Sequence, residues 1–161
     1  MEYTLKKAAH ILFCSPSNPC GSVYSREHLE AILKVAEKHH VPIIADEIYC
    51  DLVFKGNTFY PMATLTDSVP ILSVGGLAKK WLVPGWRVGW ILIHDRNGVF
   101  AEIHEGLHQL AQIILGPNSL IQAALPDILE KTPASFYEST IQQIQVKDYE
   151  GRLPSCCSLY L

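Results

Sequence analysis

HILFCSPSNPCGSVYSREHLEAILKVAEKHHVPIIAD, residues 10–46, reads as a strand, a turn-rich loop, a helix and a second strand. Residues 10–14 (HILFC) are a short apolar run closed by Ser15 and Pro16, the pattern of a buried strand. Ser25 is placed to cap a helix whose apolar positions Leu29, Ile32, Leu33 and Ala36 recur at i, i+3, i+4 and i+7, one stripe under a charged outer face. That helix is expected to end near His40. Residues 41–45 (VPIIA) form the second apolar run, with Pro42 tolerable at a strand's start, so that ADEIY falls at the strand's carboxyl end. Two strands joined by a helix of this length are expected to lie parallel, connected by a crossover. The class is α/β, a mostly parallel sheet with flanking helices.

Outward from this unit, Lys55, Gly56 and Asn57 read as a turn, and residues 71–74 (ILSV) as a third strand running into a flexible bend at Gly75 and Gly76. Residues 87–93 (RVGWILI) read as a fourth strand, closed by the polar turn residues 94–98. From Val99 the period lengthens to that of a helix, with Phe100, Ile103, Leu107, Leu110 and Ile114 along one face. Gly116 and Pro117 break that helix, Pro126 interrupts the next, and Thr132 with Pro133 suggests the start of a third. Beyond Tyr149 the helical pattern fails.

Composition narrows the function classes. A formal charge of -3 with scattered Lys and Arg offers no basic stripe for a phosphodiester backbone, so nucleic acid is not an expected partner. No apolar run approaches the roughly 20 residues that cross a bilayer, and the first residues lack a signal peptide's cleavage site. The chain reads as soluble and cytoplasmic, with a mitochondrial location left open. Cys14, Cys20, Cys50, Cys156 and Cys157 make neither a C-x-x-C pair nor zinc-site spacing with histidine, so no metal is expected and the thiols read as reduced. His39 and His40 point apart at a helix end and read as solvated. Trp81, Trp86 and Trp90 read as core packing around a turn.

Four segments carry candidate chemistry. Lys79 lies among Leu77, Ala78, Trp81 and Leu82 with Lys80 adding a like charge, the kind of setting in which an amine can condense with a carbonyl. Arg87, eight residues on, offers a planar fork of donors suited to a phosphate, and Pro84 and Gly85 form a turn that aims it back toward the lysine. Asp46 ends a strand, where a carboxylate needs a cation or several donors, and Tyr49 follows it. From the residues alone, Asp46 reads as a helix N-cap and Tyr49 as core. Asn18 sits in the turn NPCG, 28 residues before Asp46, a separation that lets consecutive parallel strands deliver one residue each to the same sheet edge. Ligands of open α/β sheets bind at that edge.

GGLAKKWLVPGWRVGW (residues 75–90), with SPSNPCG (15–21) and ADEIY (45–49), resembles the cofactor site of the class I/II aminotransferases, pyridoxal-phosphate enzymes of fold type I, and most resembles the members that act on tyrosine. The resemblance implies roles for five residues. Lys79 attaches pyridoxal 5'-phosphate and serves as general base and acid, and Asp46 keeps the pyridine nitrogen protonated. Tyr49 and Asn18 reach the ring's 3-oxygen, and Arg87 binds the phosphate. The Asn18–Pro19 bond is a candidate for the cis isomer. Two departures stand out: Cys20 where the family has threonine, and Gly76 and Ala78 where it usually carries a hydroxyl that helps hold the phosphate. The implied activity is transamination between an L-amino acid, tyrosine or another aromatic, and 2-oxoglutarate, in an enzyme that is a homodimer when complete. Residues 1–148 are expected to be part of the large, cofactor-binding domain and residues 149–161 a divergent tail, so that the chain reads as a fragment. A fold type I carbon–sulfur lyase and a non-catalytic remnant are the alternatives.

Overall fold

The computed structural model describes residues 9–149, so the tail expected after residue 148 lies almost wholly outside the described residues. A four-stranded sheet in sequence order organises the chain. Strand β1 (Ile11–Cys14) pairs parallel with β2 (Ile43–Asp46), and β2 pairs parallel with β3 (Ile71–Gly76). Strand β4 (Gly89–His94) runs antiparallel to β3. The expected α/β class and the parallel pairing across the first helix are therefore observed.

Helix α1 (Arg26–Lys38) connects β1 to β2. Its start is set by Ser25, whose hydroxyl accepts from the His28 N–H at 3.3 Å, and its end by His39 and His40. Leu29, Leu33 and Ala36 are buried, against Ile43, Ala45 and Ile71 from the inner face of the sheet and Met62 and Ala63 from a 3₁₀ helix (Met62–Leu65). Burial of Leu29, Ile43, Met62 and Ile71 removes most of their apolar surface from water, the main source of the sheet–helix attraction. Ser25→Ala leaves the His28 N–H without its acceptor, and the expected result is a loss of about 1 kcal/mol in urea unfolding with an unchanged slope.

The sheet differs from expectation at β3 and β4. Gly75 and Gly76 are not a bend; they continue β3 and pair with Trp90 and Gly89. Close approach explains the glycines, because a Cβ on Gly75 would meet the Trp90 indole Nε1 at 2.6 Å and one on Gly76 the Val88 carbonyl oxygen at 2.9 Å. Strand β4 begins after Arg87 rather than at it, since Arg87 has the left-handed φ of 53° and closes a 3₁₀ turn (Pro84–Trp86). Asp95 ends β4, its Oδ1 accepting from Val99 N at 2.8 Å and Phe100 N at 3.1 Å.

Short helix α2 (Leu77–Lys80) follows β3, and three longer helices close the described chain: α3 (Ala101–Ile113), α4 (Ser119–Lys131) and α5 (Ala134–Tyr149). Phe100 is buried, but the apolar stripe read along α3 is not covered among the described residues, with Leu110 62 % and Ile114 76 % exposed. Pro126 lies inside α4 without ending it, at the cost of one main-chain hydrogen bond. Thr132, expected to cap α5, instead serves the helix before it, its hydroxyl donating to the Ile128 carbonyl while accepting from the Trp81 indole N–H at 3.2 Å. That bond and the edge-on Trp81–Tyr137 contact tie α4 and α5 to α2. Trp81 and Trp90 meet edge to face at 6.3 Å, as core readings suppose, whereas Trp86 is exposed. Among the described residues no helix is long and apolar enough to cross a membrane.

Candidate active site

The carboxyl ends of the three parallel strands, at Cys14, Asp46 and Gly76, lie along one edge of the sheet, with Cys14 in register with Asp46 and Asp46 with Val74. Each strand runs directly into a segment carrying candidate residues. After β1 the chain turns through Asn18, with both Ser15–Pro16 and Asn18–Pro19 in the cis form. Ser15 N donates to the Asp46 carbonyl at 3.0 Å, which fastens this loop to the end of β2. Asn18 itself is exposed.

After β2 the chain makes a turn rather than a helix. Asp46 is therefore no helix cap; its Oδ1 accepts from the Ile48 N–H at 3.2 Å, two residues on, stabilising the turn. Tyr49 is 4 % exposed, and the Lys79 Nζ stands 5.4 Å above its ring centroid, within reach of cation–π attraction. The fold thus brings together Tyr49 and Lys79, thirty residues apart in sequence. Lys79 is half-buried in α2, and the main-chain bond from Leu77 N to the Val88 carbonyl, 3.1 Å, holds the start of α2 against the segment that bears Arg87.

Lys80 does not stand as an unmatched charge beside Lys79. Its Nζ is 3.0 Å from Asp51 Oδ1 and lies over the Trp81 and Tyr137 rings at 4.9 and 4.7 Å. The like-charge reading of Lys80 is thereby weakened, because Asp51 offsets most of its field at the site. Arg87 is exposed, and its Nη1 donates to the Pro84 carbonyl at 2.9 Å, so its own turn, and not a strand, sets its direction. Four of the five N–H donors of the guanidinium stay available to an anion. A shallow recess of about 210 Å³ opens between Ile48, Gly76, Ala78, Pro84, Arg87 and Gly89.

Two groups near the edge are silent in the sequence reading. Cys50 is half-buried beside Asp51, and that burial, with the carboxylate next to it, pushes its thiol up to about 12, so it is no nucleophile near neutral pH. Glu47 faces away from Asp46, as adjacent strand residues do, into the core face. Its Oε1 accepts from the Met62 N–H at 2.8 Å, and burial pushes its carboxyl above the ordinary carboxylate value, with the Met62 N–H opposing the rise. Strand alternation signals only that Glu47 points inward; its partner is set by tertiary contact.

A sequence description of the family "Aminotransferase class I and II" matches residues 1–148. The chain belongs to this family. Among its aminotransferase relatives, the tyrosine aminotransferase of Mus musculus is 58 % identical over 137 residues, 84 % of this chain and 30 % of the relative. The crystal structure of tyrosine aminotransferase from Leishmania infantum superposes with a TM-score of 0.80 at 38 % identity, over 83 % of this chain and 33 % of that one. Alanine aminotransferase from Pyrococcus furiosus gives a TM-score of 0.83 at 29 % identity, over 92 % of this chain and 39 % of that one. The expected fold class, a mostly parallel sheet with flanking helices like that of fold type I aminotransferases, is thus observed, and the chain spans about a third of the length of the aminotransferases it matches.

Proposed function

We propose that this chain carries the cofactor-binding lysine and its partners for a pyridoxal-phosphate-dependent aminotransferase acting on tyrosine or another aromatic L-amino acid, with 2-oxoglutarate as amino acceptor. The observation that carries the reading is the Lys79 amine held over the Tyr49 ring at the sheet edge where Asp46 ends β2. Identity of 58 % to a tyrosine aminotransferase supports the choice of substrate. Residues 1–148 are read as part of the large domain, residues 149–161 as a divergent tail, and the complete enzyme as a homodimer.

The residues fit the cofactor chemically. An amine, a carboxylate, a phenol, an amide and a guanidinium are supplied from one sheet edge, and glycine at position 76 keeps that edge open where a Cβ would press on Val88 and Gly89. Bound there, pyridoxal phosphate supplies an electron sink for negative charge at the substrate α-carbon. Asp46 balances the positive charge of a protonated ring nitrogen, which offsets the cost of keeping a carboxylate half-buried. Tyr49 and Asn18 would hydrogen-bond the ring's 3-oxygen, and Arg87 would bind the phosphate through the donors that Pro84 leaves available. Lys79 Nζ, beside the Tyr49 ring, would serve as the base that takes the proton from the substrate α-carbon and as the acid that gives it back.

The test is to load the chain with pyridoxal phosphate and add L-tyrosine without an acceptor. One equivalent of the aromatic 2-oxo acid per labelled chain is expected. With an S-substituted L-cysteine offered in parallel, release of a thiol, ammonia and pyruvate would assign a carbon–sulfur lyase instead, and no product from either substrate would confine the chain to binding the cofactor.

A further inference from the structure

We propose that Glu47 is a positioning residue that fixes the turn bearing Asp46 and Tyr49 by reaching across the core face to the first N–H of the 3₁₀ helix. The inference rests on the cofactor-site reading of that turn. Glu47 is held from three sides. Its N–H donates to the Val74 carbonyl of β3 at 3.2 Å, its carbonyl accepts from Cys50 N at 2.9 Å, and its carboxylate accepts from Met62 N at 2.8 Å. The first bond continues the sheet and the second closes the turn, so the third is the one that ties the turn to another element. Met62 is 1 % exposed and belongs to the core cluster, which makes its N–H a rigid anchor.

The buried Ser73 hydroxyl, on the same face of β3, makes no hydrogen bond of good geometry yet lies close enough to Glu47 to favour its charged form. Cys50, next in the turn, bonds to Asp51 rather than to Glu47. The bond from the Met62 N–H to the Glu47 Oε1 is short, and it is reached only by a side chain of this length carrying an acceptor oxygen, so it tolerates little displacement of the turn. Asp46 on one side of the chain and Glu47 on the other therefore divide the work: Asp46 faces the ligand edge and Glu47 sets where that edge stands. Tyr49 is two residues on, and Lys79 above it depends on the same turn.

The experiment compares Glu47→Gln, Glu47→Asp and Glu47→Ala in the full chain. Amide exchange over residues 46–51 and 62–65 is measured without cofactor, and pyridoxal phosphate affinity is measured by absorbance. Gln keeps the length and an acceptor oxygen, so exchange and affinity are expected to stay within about threefold of the parent. Asp keeps the charge but falls one methylene short of Met62, and exchange is expected to speed and affinity to fall, each by about tenfold. Ala is expected to do the same or worse; should it fail to fold, the contrast between Gln and Asp decides. Rescue by Gln and not by Asp supports the proposal. Unchanged exchange in Glu47→Asp overturns it, and so does a Gln variant as impaired as Asp. Because exchange is read without cofactor, a parent chain that takes no pyridoxal phosphate defeats the proposed function without deciding the role of Glu47.

Discussion

Lys79→Ala is expected to abolish the borohydride-stable attachment of pyridoxal phosphate and to slow any half-reaction with L-tyrosine by about 10²–10⁴-fold, the range lost with a positioned general base. The label in the parent chain is expected on the peptide containing Lys79, and on Lys79 rather than Lys80. Geometry separates the two lysines. Lys79 Nζ stands over the buried Tyr49 ring at 5.4 Å, whereas Lys80 is engaged by Asp51 at 3.0 Å and by two aromatic rings. Lys80→Ala should therefore keep the label while losing the contacts that hold α5 near α2. The Lys79 side chain is only half-buried, so its truncation leaves the fold intact, with an unchanged far-ultraviolet circular dichroism spectrum. Retention of the label in Lys79→Ala would overturn the assignment.

The second large effect is expected at Gly76. A Cβ there meets the Val88 carbonyl oxygen at 2.9 Å and the Gly89 Cα at 3.1 Å, both main-chain atoms of the paired segment. Neither can move without opening the β3–β4 ladder at its last pair, which also sets the start of α2 through the Leu77–Val88 bond. Gly76→Ala is therefore expected to lose about 1–3 kcal/mol in urea unfolding, the usual cost of forcing atoms into a packed region, and to displace Lys79. Gly75→Ala offers the contrast. Its Cβ meets the Trp90 indole at 2.6 Å, but a side chain can rotate away, so the expected stability loss is smaller even though the Trp81–Trp90 contact is disturbed. Equal losses in the two variants, or parental stability in Gly76→Ala, would refute the argument from main-chain contact.

Much of this was legible because it depended on neighbours in sequence. Ser25 as a cap, the Leu29–Leu33–Ala36 stripe and the apolar runs of β1 and β2 are local signals, and the structure has each in place. The places of three candidate residues were legible for the same reason, since Asp46 ends a strand and Asn18 and Lys79 each fall a few residues past one, and strand ends are marked by turn chemistry. What failed depended on partners far along the chain. Arg87 was read into β4 because RVGWILI is a short, mostly apolar run ahead of polar turn residues, yet its turn with Pro84 imposes a left-handed backbone that no strand accepts. Gly75 and Gly76 read as flexible because glycine often is, and only the approach of Trp90 and Val88 reveals that they are small by necessity.

By itself, then, the sequence determined the class of the fold and the order of its four strands and longer helices, because period, caps and turn residues act over a few positions, while the five candidate side chains were gathered by resemblance to a family. Tertiary structure alone decided how those side chains are held. It put Lys79 over Tyr49, matched Lys80 with Asp51, and tied Glu47 to Met62, fifteen residues away. The physical reason is that a hydrogen bond or an ion pair is fixed by distance in space, and those distances follow from the packing of α1 and the 3₁₀ helix on the sheet rather than from any spacing along the chain.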